Sequence, residues 1–136
     1  MIEVCCAIIV KDQKMLAVQR PPESSHPGLW EFPGGKIHPE ESSEQCIIRE
    51  IQEELNVNIL VLHRLIPVEF VYGTRQIRLI PFICEMVSGK IVLTEHLALR
   101  WFGPDEWETI DWLGADRELI LKNRKRLSLL VAGTKE

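Results

Sequence analysis

The sequence has 136 residues, of which 46% are hydrophobic and 26% are charged, and its formal net charge is −4. We predict a single domain, residues 1–136, because this length and composition suit a chain that buries one core. The negative charge argues against broad electrostatic binding to a nucleic-acid polymer, so a polyanionic ligand would have to be received by local positive groups and metal.

The N-terminal segment is predicted to form a β-hairpin. Ile2–Val10 is rich in strand-forming residues, Lys11–Lys14 is typical of a turn, and Met15–Gln19 is interpreted as the returning strand. Pro21–Pro27 contains prolines and serines, which indicate a surface loop, and its length suggests a function. The pair Gly34-Gly35 comes next, and two glycines let a backbone approach a ligand or metal closely.

The cysteines Cys5, Cys6, Cys46 and Cys84 show no CxxC spacing. Adjacent Cys5 and Cys6 in a strand would point to opposite faces, and we interpret all the cysteines as reduced core thiols of an intracellular protein. No stretch approaches the roughly eighteen apolar residues of a membrane span, and no signal peptide is recognisable. We therefore expect a soluble cytoplasmic protein with no membrane partner.

A helix of about Ser43 to Leu55 is predicted in mid-chain, because Ser42 and Gln45 have capping-box spacing and aliphatic residues recur at helical spacing. At about 100° per residue, Glu50, Glu53 and Glu54 share a sector of roughly 100°. Crowded carboxylates repel each other unless a cation lies among them, and oxygen ligands suit magnesium or manganese. The alternative is a solvated acidic face on which Arg49 and Glu53 form an ordinary ion pair.

The second half of the chain is predicted to begin with a long antiparallel pair, Asn58–Tyr72 and Arg75–Met86, across a turn at Gly73-Thr74. A short strand, His96–Phe102, and a short helix from Pro104 come next.

A final helix of about Asp116 to Leu130 ends the predicted structure. Its buried stripe would hold Leu119, Ile120, Leu127, Leu130 and Val131. Its outer face would hold Lys122, Arg124, Lys125 and Arg126, which we interpret as solvated although they could touch phosphate. Strands with one helix in mid-chain and one at the end predict an α+β fold whose sheet lies between helices.

The stretch from Glu31 to Val57 carries a family resemblance. Gly35 is followed after five residues by Glu41 and after seven more by Arg49-Glu50-Ile51-Gln52-Glu53-Glu54-Leu55-Asn56-Val57. This pattern resembles the Nudix box, with Asn56 at a position where the family has glycine. Asparagine is the next best residue for a left-handed C-terminal cap, so we expect the helix end to be intact. The resemblance implies an α/β/α sandwich with a mixed, largely antiparallel sheet.

Within that family the chain most resembles the MutT type of nucleoside triphosphate pyrophosphohydrolase. The resemblance implies a Mg²⁺ ion, with Mn²⁺ as a possible substitute, held by Glu50, Glu53, Glu54 and the carbonyl of Gly34 or Gly35, with Glu95 as an outlying ligand. Glu50 is the first choice of general base and Glu95 the second. Arg49 is expected to orient the carboxylates, with Glu41 as its partner.

The same resemblance assigns substrate contacts. Arg20 and Lys36 are the candidates for contacting phosphate, and Asp116 is the candidate for reading the base. Aromatic residues could stack on the base, although core packing is their alternative role: Trp30, Phe32, Phe70 and Phe82. The histidines His26, His38, His63 and His96 show no paired-ligand spacing, so no zinc site is expected.

Three functions stay open at this point. The first is hydrolysis of a nucleoside triphosphate to the monophosphate and pyrophosphate, as in CTP or dCTP hydrolysis or the removal of 8-oxo-dGTP from the nucleotide pool. The second is a Nudix hydrolase for ADP-ribose or a dinucleoside polyphosphate, for which Tyr72 could be a specificity residue. The third is a non-catalytic module that binds a nucleotide, as a sensor, or binds a protein. The expected partner is a small nucleotide substrate, and the chain is expected to be a monomer or a homodimer.

An ionised Asp116 would only accept hydrogen bonds. It would therefore favour cytosine, guanine or 8-oxoguanine nucleotides over uracil or thymine nucleotides.

Overall fold

The computed structural model describes residues 1–133. Its strands are β1 (Ile2–Lys11), β2 (Lys14–Gln19), β3 (Trp30–Glu31), β4 (Gly34–Lys36), β5 (Val57–Arg64), β6 (Val68–Tyr72), β7 (Arg75–Gly89) and β8 (Ala98–Phe102). Its helices are α1 (Ser43–Leu55), α2 (Gly114–Lys122) and α3 (Arg124–Ala132), with a short 3₁₀ helix at Trp107–Thr109 where the sequence predicts a short helix.

The predicted N-terminal hairpin is confirmed, and its strands diverge soon after the turn. Val10 pairs with Met15 beside the turn residues Asp12 and Gln13, which have positive φ. Further on, β1 pairs with β7 in parallel and with β4 in antiparallel fashion, whereas β2 pairs with β3 and β8. The divergence leaves room for β4, with Gly34 and Gly35, to pair with β1.

The predicted antiparallel pair is present, but its first member is two strands rather than one. Both β5 and β6 pair with β7, and the chain between them, residues 65–67, leaves the ladder. Pro67 has no N–H to donate to a ladder. Leu65 turns into the core at 2% exposure, and its N–H donates to the carbonyl of Pro81 at 2.9 Å.

Two hydrophobic clusters lie on opposite faces of the sheet. One joins β1 to α1 and contains Cys5, Ile47 and Ile51. The other joins β1 to α2 and α3 and contains Cys6 and Leu119. The adjacent cysteines therefore point to opposite faces as predicted, and within residues 1–133 all four cysteines are buried free thiols. Helices on both faces of a mixed sheet confirm the predicted α+β sandwich.

The final helix was predicted as one element and is two, α2 and α3, separated at Asn123. This residue is 3% exposed. Its Nδ2 donates to the carbonyls of Ile66 and Leu119, both at 3.0 Å, and its Oδ1 accepts from the Ile66 N–H at 2.9 Å. A side chain that binds the backbone in this way competes with the helical ladder, and Asn123 departs from helical geometry with φ −108° and ψ 14°.

The predicted buried stripe of this region is otherwise confirmed: Leu119, Ile120, Leu127 and Val131 are buried and Leu130 is partly buried. The predicted basic face is exposed at Lys122, Arg124, Lys125 and Arg126. Lys122 donates to the carbonyl of Pro67, and the Arg124 guanidinium lies 5.5 Å from the centroid of the Trp107 ring. None of the helices described is long and apolar enough to cross a membrane.

Candidate active site

Helix α1 begins and ends as its sequence predicts. The Ser42 hydroxyl accepts from the Gln45 N–H at 3.0 Å, and the Gln45 side chain accepts from the Ser42 N–H at 2.8 Å, which completes the capping box. At the other end Asn56 has φ 61° and ψ 33° and donates its N–H to the carbonyl of Gln52. The asparagine therefore forms the left-handed cap that glycine usually supplies.

Gly34 and Gly35, the first residues of β4, lie against β1 on one side and α1 on the other. A Cβ atom on Gly34 would overlap the backbone carbonyl oxygen of Cys5, so this close approach requires glycine. A Cβ atom on Gly35 would overlap the carboxylate of Glu50, which is the flexible end of a side chain. The Glu50 carboxylate therefore lies directly over the backbone of β4.

Arg49 binds three carboxylates of the box. Its Nη2 and Nε donate to the two oxygens of Glu41 at 2.8 and 3.1 Å, and its Nη1 donates to Glu50 at 2.8 Å and to Glu53 at 3.2 Å. The predicted pairing with Glu41 is present, and it lowers the pKa of Glu41 to about 2. Arg49 also donates to the carbonyl of Lys36, whose side chain is exposed beside it.

Glu54, unlike the carboxylates paired with Arg49, is buried. It is 2% exposed, and its Oε2 has no hydrogen-bond partner within residues 1–133. Burial, followed by the adjacent carboxylate of Glu50 and the charges of Glu95 and Glu31, raises the pKa of Glu54 to about 10. Burying a carboxyl group with an unpartnered oxygen is unfavourable, so another group is expected to pair with it in the working protein.

A divalent cation fits these residues. Among residues 1–133 no group of three acidic, histidine or cysteine side chains is already arranged around a common metal position. Glu50 and Glu53 are instead hydrogen-bonded to Arg49. The available ligands are oxygens, and the unpartnered oxygen of Glu54 lies near Glu50, which in turn covers Gly35. Hard cations such as Mg²⁺ or Mn²⁺ prefer this chemistry.

A second group of polar residues adjoins the first, and its centre is Glu31. One Glu31 oxygen lies 3.1 Å from Nη1 of Arg20, and the other lies 3.0 Å from Nε2 of His96. Arg20 also donates to the Ser25 carbonyl at 2.8 Å. Sequence reasoning missed Glu31 and His96 as site residues; the available signals were the position of Glu31 before the glycine pair and of His96 directly after Glu95.

A cavity of about 190 Å³ opens beside this group and is lined by Arg20, His26, Glu31, Tyr72 and Arg75, among others. A smaller cavity of about 70 Å³ shares Glu31 with it and reaches Asp116. We call the two together the Asp116 cavity. Glu31 lines both parts of this cavity, and its Oε2 lies 3.0 Å from Nε2 of His96, whose Nδ1 lies 3.8 Å from Oε1 of Glu54. The acidic cluster and the cavity are therefore connected at Glu31.

Asp116 lies at the buried end of this cavity, in the first turn of α2. It is 4% exposed, and its Oδ2 accepts from the Phe32 N–H at 2.9 Å. Burial and the nearby charge of Glu31 raise the pKa of Asp116 well above its ordinary value. The raised pKa favours the protonated form of Asp116, which donates as well as accepts, in the free protein, whereas the predicted base preference rests on the ionised form.

The candidate aromatic residues lie in different places. Phe82 is fully buried under α1, on the face of the sheet opposite Asp116, so its role as a stacking residue is wrong. Phe32 also packs in the core, with its ring centroid 5.0 Å from that of Trp112, and it reaches the site through its backbone. Trp30 is half-buried against the same core.

Tyr72 and His26 line the larger part of the Asp116 cavity. The Tyr72 ring lies 4.7 Å from that of Phe70 and 5.2 Å from that of His26, measured between centroids. Tyr72 also accepts the N–H of Ala115 at 2.7 Å and so holds the start of α2. Sequence reasoning included Tyr72 and Phe70 as candidates and did not include His26.

The fold and the box together define the class of protein. The NUDIX domain family matches residues 1–122, and the chain therefore belongs to the Nudix family as a Nudix-type hydrolase. Members of this family generally use a divalent metal ion.

Its relatives are nucleotide hydrolases by name. The chain is 41% identical over 106 residues to the CTP pyrophosphohydrolase of Escherichia coli K12, covering 78% of each chain. It is 32% identical over 122 residues to the putative 8-oxo-dGTP diphosphatase 2 of Mycobacterium tuberculosis H37Rv, covering 86% of this chain and 84% of that protein. The solution structure of the E. coli ORF135 protein superimposes with a TM-score of 0.80 at 36% identity, covering 92% of this chain and 89% of that one.

Proposed function

We propose that this protein hydrolyses nucleoside triphosphates to the monophosphate and pyrophosphate with Mg²⁺, and that cytosine, guanine or 8-oxoguanine nucleotides are its substrates. The observation that carries the proposal is the meeting of an acidic cluster with the Asp116 cavity at Glu31. A nucleotide placed across Glu31 would have its base near Asp116 and its phosphates near Glu54. The names of the two relatives, a CTP pyrophosphohydrolase and a putative 8-oxo-dGTP diphosphatase, support the substrate class.

The metal would be held by Glu50, Glu53 and Glu54 with the carbonyl of Gly34 or Gly35, and Glu95 would be an outlying ligand. When bound, a divalent cation neutralises phosphate oxygens and makes water easier to deprotonate. Mn²⁺ could replace Mg²⁺ because both accept oxygen ligands. Pairing with the cation would also return Glu54 to its ionised form, since an adjacent positive charge lowers a carboxyl pKa.

Glu50 would accept the proton of the attacking water. It lies over Gly35 of β4 and beside Glu54, and Arg49 donates a hydrogen bond to it at 2.8 Å, which fixes its orientation. A base must be within hydrogen-bond reach of the proton that it abstracts, which this central position favours. Glu95 is the second candidate, and it is exposed on the segment after β7.

Arg20 would bind phosphate from the opposite side of the cluster. Its guanidinium is part of the cavity wall and is fixed by Glu31 and Ser25. Charge-assisted contacts from an already oriented guanidinium suit phosphate oxygens. Lys36 would add a more mobile positive charge at the exposed edge of the site.

A nucleotide panel tests the proposal. We expect pyrophosphate release from CTP, dCTP, dGTP or 8-oxo-dGTP in the presence of Mg²⁺. UTP and dTTP should be poorer substrates where the bound base meets an ionised Asp116, which can only accept hydrogen bonds. Glu53→Gln protein is the matched control for contaminating activity. Cleavage of ADP-ribose or a dinucleoside polyphosphate with no pyrophosphate release from any triphosphate would overturn the proposal, as would nucleotide binding without turnover.

A further inference from the structure

His96 lies between two carboxylates that come from different elements of the fold. Its Nε2 is 3.0 Å from Oε2 of Glu31 on β3, and its Nδ1 is 3.8 Å from Oε1 of Glu54 on α1. The side chains of His96 and Glu54 are 5% and 2% exposed, so this contact is inside the protein. Glu31 in turn holds Arg20. The four side chains form a continuous series, Arg20–Glu31–His96–Glu54.

The backbone around His96 repeats the same connection. The Thr94 N–H donates to the carbonyl of Glu54 at 3.2 Å, and the Thr94 hydroxyl donates to that of Glu53 at 2.9 Å. Three residues later the Leu97 N–H donates to the carbonyl of Gln19 at 2.9 Å, directly before Arg20. The segment 94–97 is thus attached at one end to the acidic end of α1 and at the other to the residue before Arg20.

This arrangement lowers the stability of the fold if its only role is packing. A buried imidazole needs partners for its nitrogens, yet Nδ1 of His96 and Oε2 of Glu54 both lack a hydrogen-bond partner in the described structure. An apolar ring of similar size would fill the same space without burying these groups. Groups that orient metal-binding side chains commonly have this position, one contact behind the ligand.

We propose that His96 is a positioning residue that couples Glu54, in the cation site, to Glu31 and Arg20, in the substrate cavity. The inference rests on the proposed function for the roles of Glu54 and Arg20. A single position of the His96 side chain then orients residues of both sites. Substitution of Arg20 should therefore alter cation binding, and loss of His96 should weaken cation binding and nucleotide binding together.

The test uses His96→Phe, which keeps a ring and removes both nitrogens, and His96→Gln, whose amide can still donate to Glu31. His63→Phe, at an exposed histidine on β5, is the matched control. Mn²⁺ binding without nucleotide is measured from the free-ion signal in electron paramagnetic resonance, and KM and kcat are measured with CTP. We expect His96→Phe to weaken Mn²⁺ affinity and raise KM by about tenfold each, with a smaller fall in kcat at saturation, and His96→Gln to be intermediate.

Arg20→Gln separates coupling from simple electrostatics. Removing a positive charge should strengthen Mn²⁺ binding if charge alone acts. If His96 couples the two sites, Arg20→Gln should weaken Mn²⁺ binding in a protein that retains His96. The same substitution should not weaken Mn²⁺ binding in the His96→Phe variant.

A folded His96→Phe protein with both Mn²⁺ affinity and KM within twofold of wild type would overturn the inference. So would tighter Mn²⁺ binding in Arg20→Gln. If His96→Phe does not fold, His96→Gln and Arg20→Gln decide the question. If wild-type protein binds Mn²⁺ but turns over no nucleotide, the proposed function fails while the Mn²⁺ measurements still judge the coupling.

Discussion

The acidic residues of the site fall into two groups with opposite environments. Glu41, Glu50 and Glu53 surround Arg49, which donates to all of them. Glu54 and Asp116 are instead buried, and burial is the first cause of the raised pKa of each. The first group shares an arginine partner within the protein, whereas within residues 1–133 the buried carboxyl groups of the second have no arginine or lysine partner, so a ligand can change their ionisation.

The difference indicates where the fold gives up stability for function. Exposed ion pairs such as Arg49–Glu53 contribute little to stability and can open at low cost. A buried carboxyl group without a full set of partners is destabilising, and such groups persist mainly at sites that bind ligands. We therefore expect substitutions of the buried acids to change binding and stability together, and substitutions of the Arg49 partners to change activity with little effect on stability.

The largest effect is expected in turnover when the acidic cluster loses a charge. Glu53→Gln and Glu54→Gln should each retain the fold and lower kcat by roughly 10²- to 10⁴-fold, because each removes a charge that holds the cation. Steady-state pyrophosphate release at saturating Mg²⁺ measures this. Glu44→Gln, at an exposed position in the first turn of α1, is the control. Near-normal Mg²⁺-dependent activity in Glu53→Gln would remove this residue from the ligand set.

The next largest effect is expected at Asp116, the other buried acidic residue. Asp116→Ala should lower kcat/KM for the preferred nucleotide by roughly 10- to 100-fold, because the base edge and the Phe32 N–H lose their partner. Asp116→Asn should lose less, since a neutral amide both donates and accepts as a protonated carboxyl group does. Both variants should keep their dependence on Mg²⁺. An unchanged ranking of CTP, dGTP, 8-oxo-dGTP and UTP in Asp116→Ala would show that Asp116 does not read the base.

The sequence predicted the parts of the structure that are coded locally. The capping box at Ser42, the left-handed Asn56 and the Arg49–Glu41 pair all depend on residues within about two helical turns of each other. The break at Asn123 was not predictable in this way. It depends on a hydrogen bond to Ile66, which is distant in sequence and reaches Asn123 only after the sheet has formed.

The same distinction applies to the site. The box carboxylates share one helix, so their spacing was informative. Glu31, His96 and Asp116 come from three separate segments, and their proximity depends on the pairing of β2 with β3 and on the path of residues 94–97. Phe82 was misassigned because the alternation of side chains along β7 does not show which face of the strand packs against α1 and which packs against α2.

The stability of the protein should depend on pH through Glu54. Its folded-state pKa is raised from 4.5 to about 10, so folding favours the protonated form. This contribution is fully present below the ordinary pKa and is lost as the pH rises through about 10. Metal-free wild-type protein should therefore lose stability across this range.

Glu54→Gln has no proton to lose at this position and isolates the effect. We expect similar melting temperatures for variant and wild type near pH 5, and a more stable variant by roughly 1–3 kcal/mol near pH 8.5. Thermal melts with a chelator present measure both. Added Mn²⁺ should then stabilise the wild type more than the variant. A Glu54→Gln protein that is equally or less stable than wild type at the higher pH would show that Glu54 is not held protonated.

The smallest expected effect lies at Asn56, two residues after the buried Glu54, where the chain has asparagine at the position of the family glycine. Its φ of 61° is in the left-handed region, and its side chain is exposed, so the backbone alone determines which residues fit. Asn56→Gly should be neutral or slightly stabilising, because glycine adopts this conformation without steric cost. Asn56→Val should cost about 1 kcal/mol or more, since a β-branched residue is poorly accommodated there. Chemical denaturation of both variants provides the comparison, and turnover at saturating Mg²⁺ should stay close to wild type in Asn56→Gly. Equal stability of the glycine and valine variants would mean that this position is not left-handed in solution. The end of α1 that carries Glu53 and Glu54 would then have a different backbone geometry from the one described above.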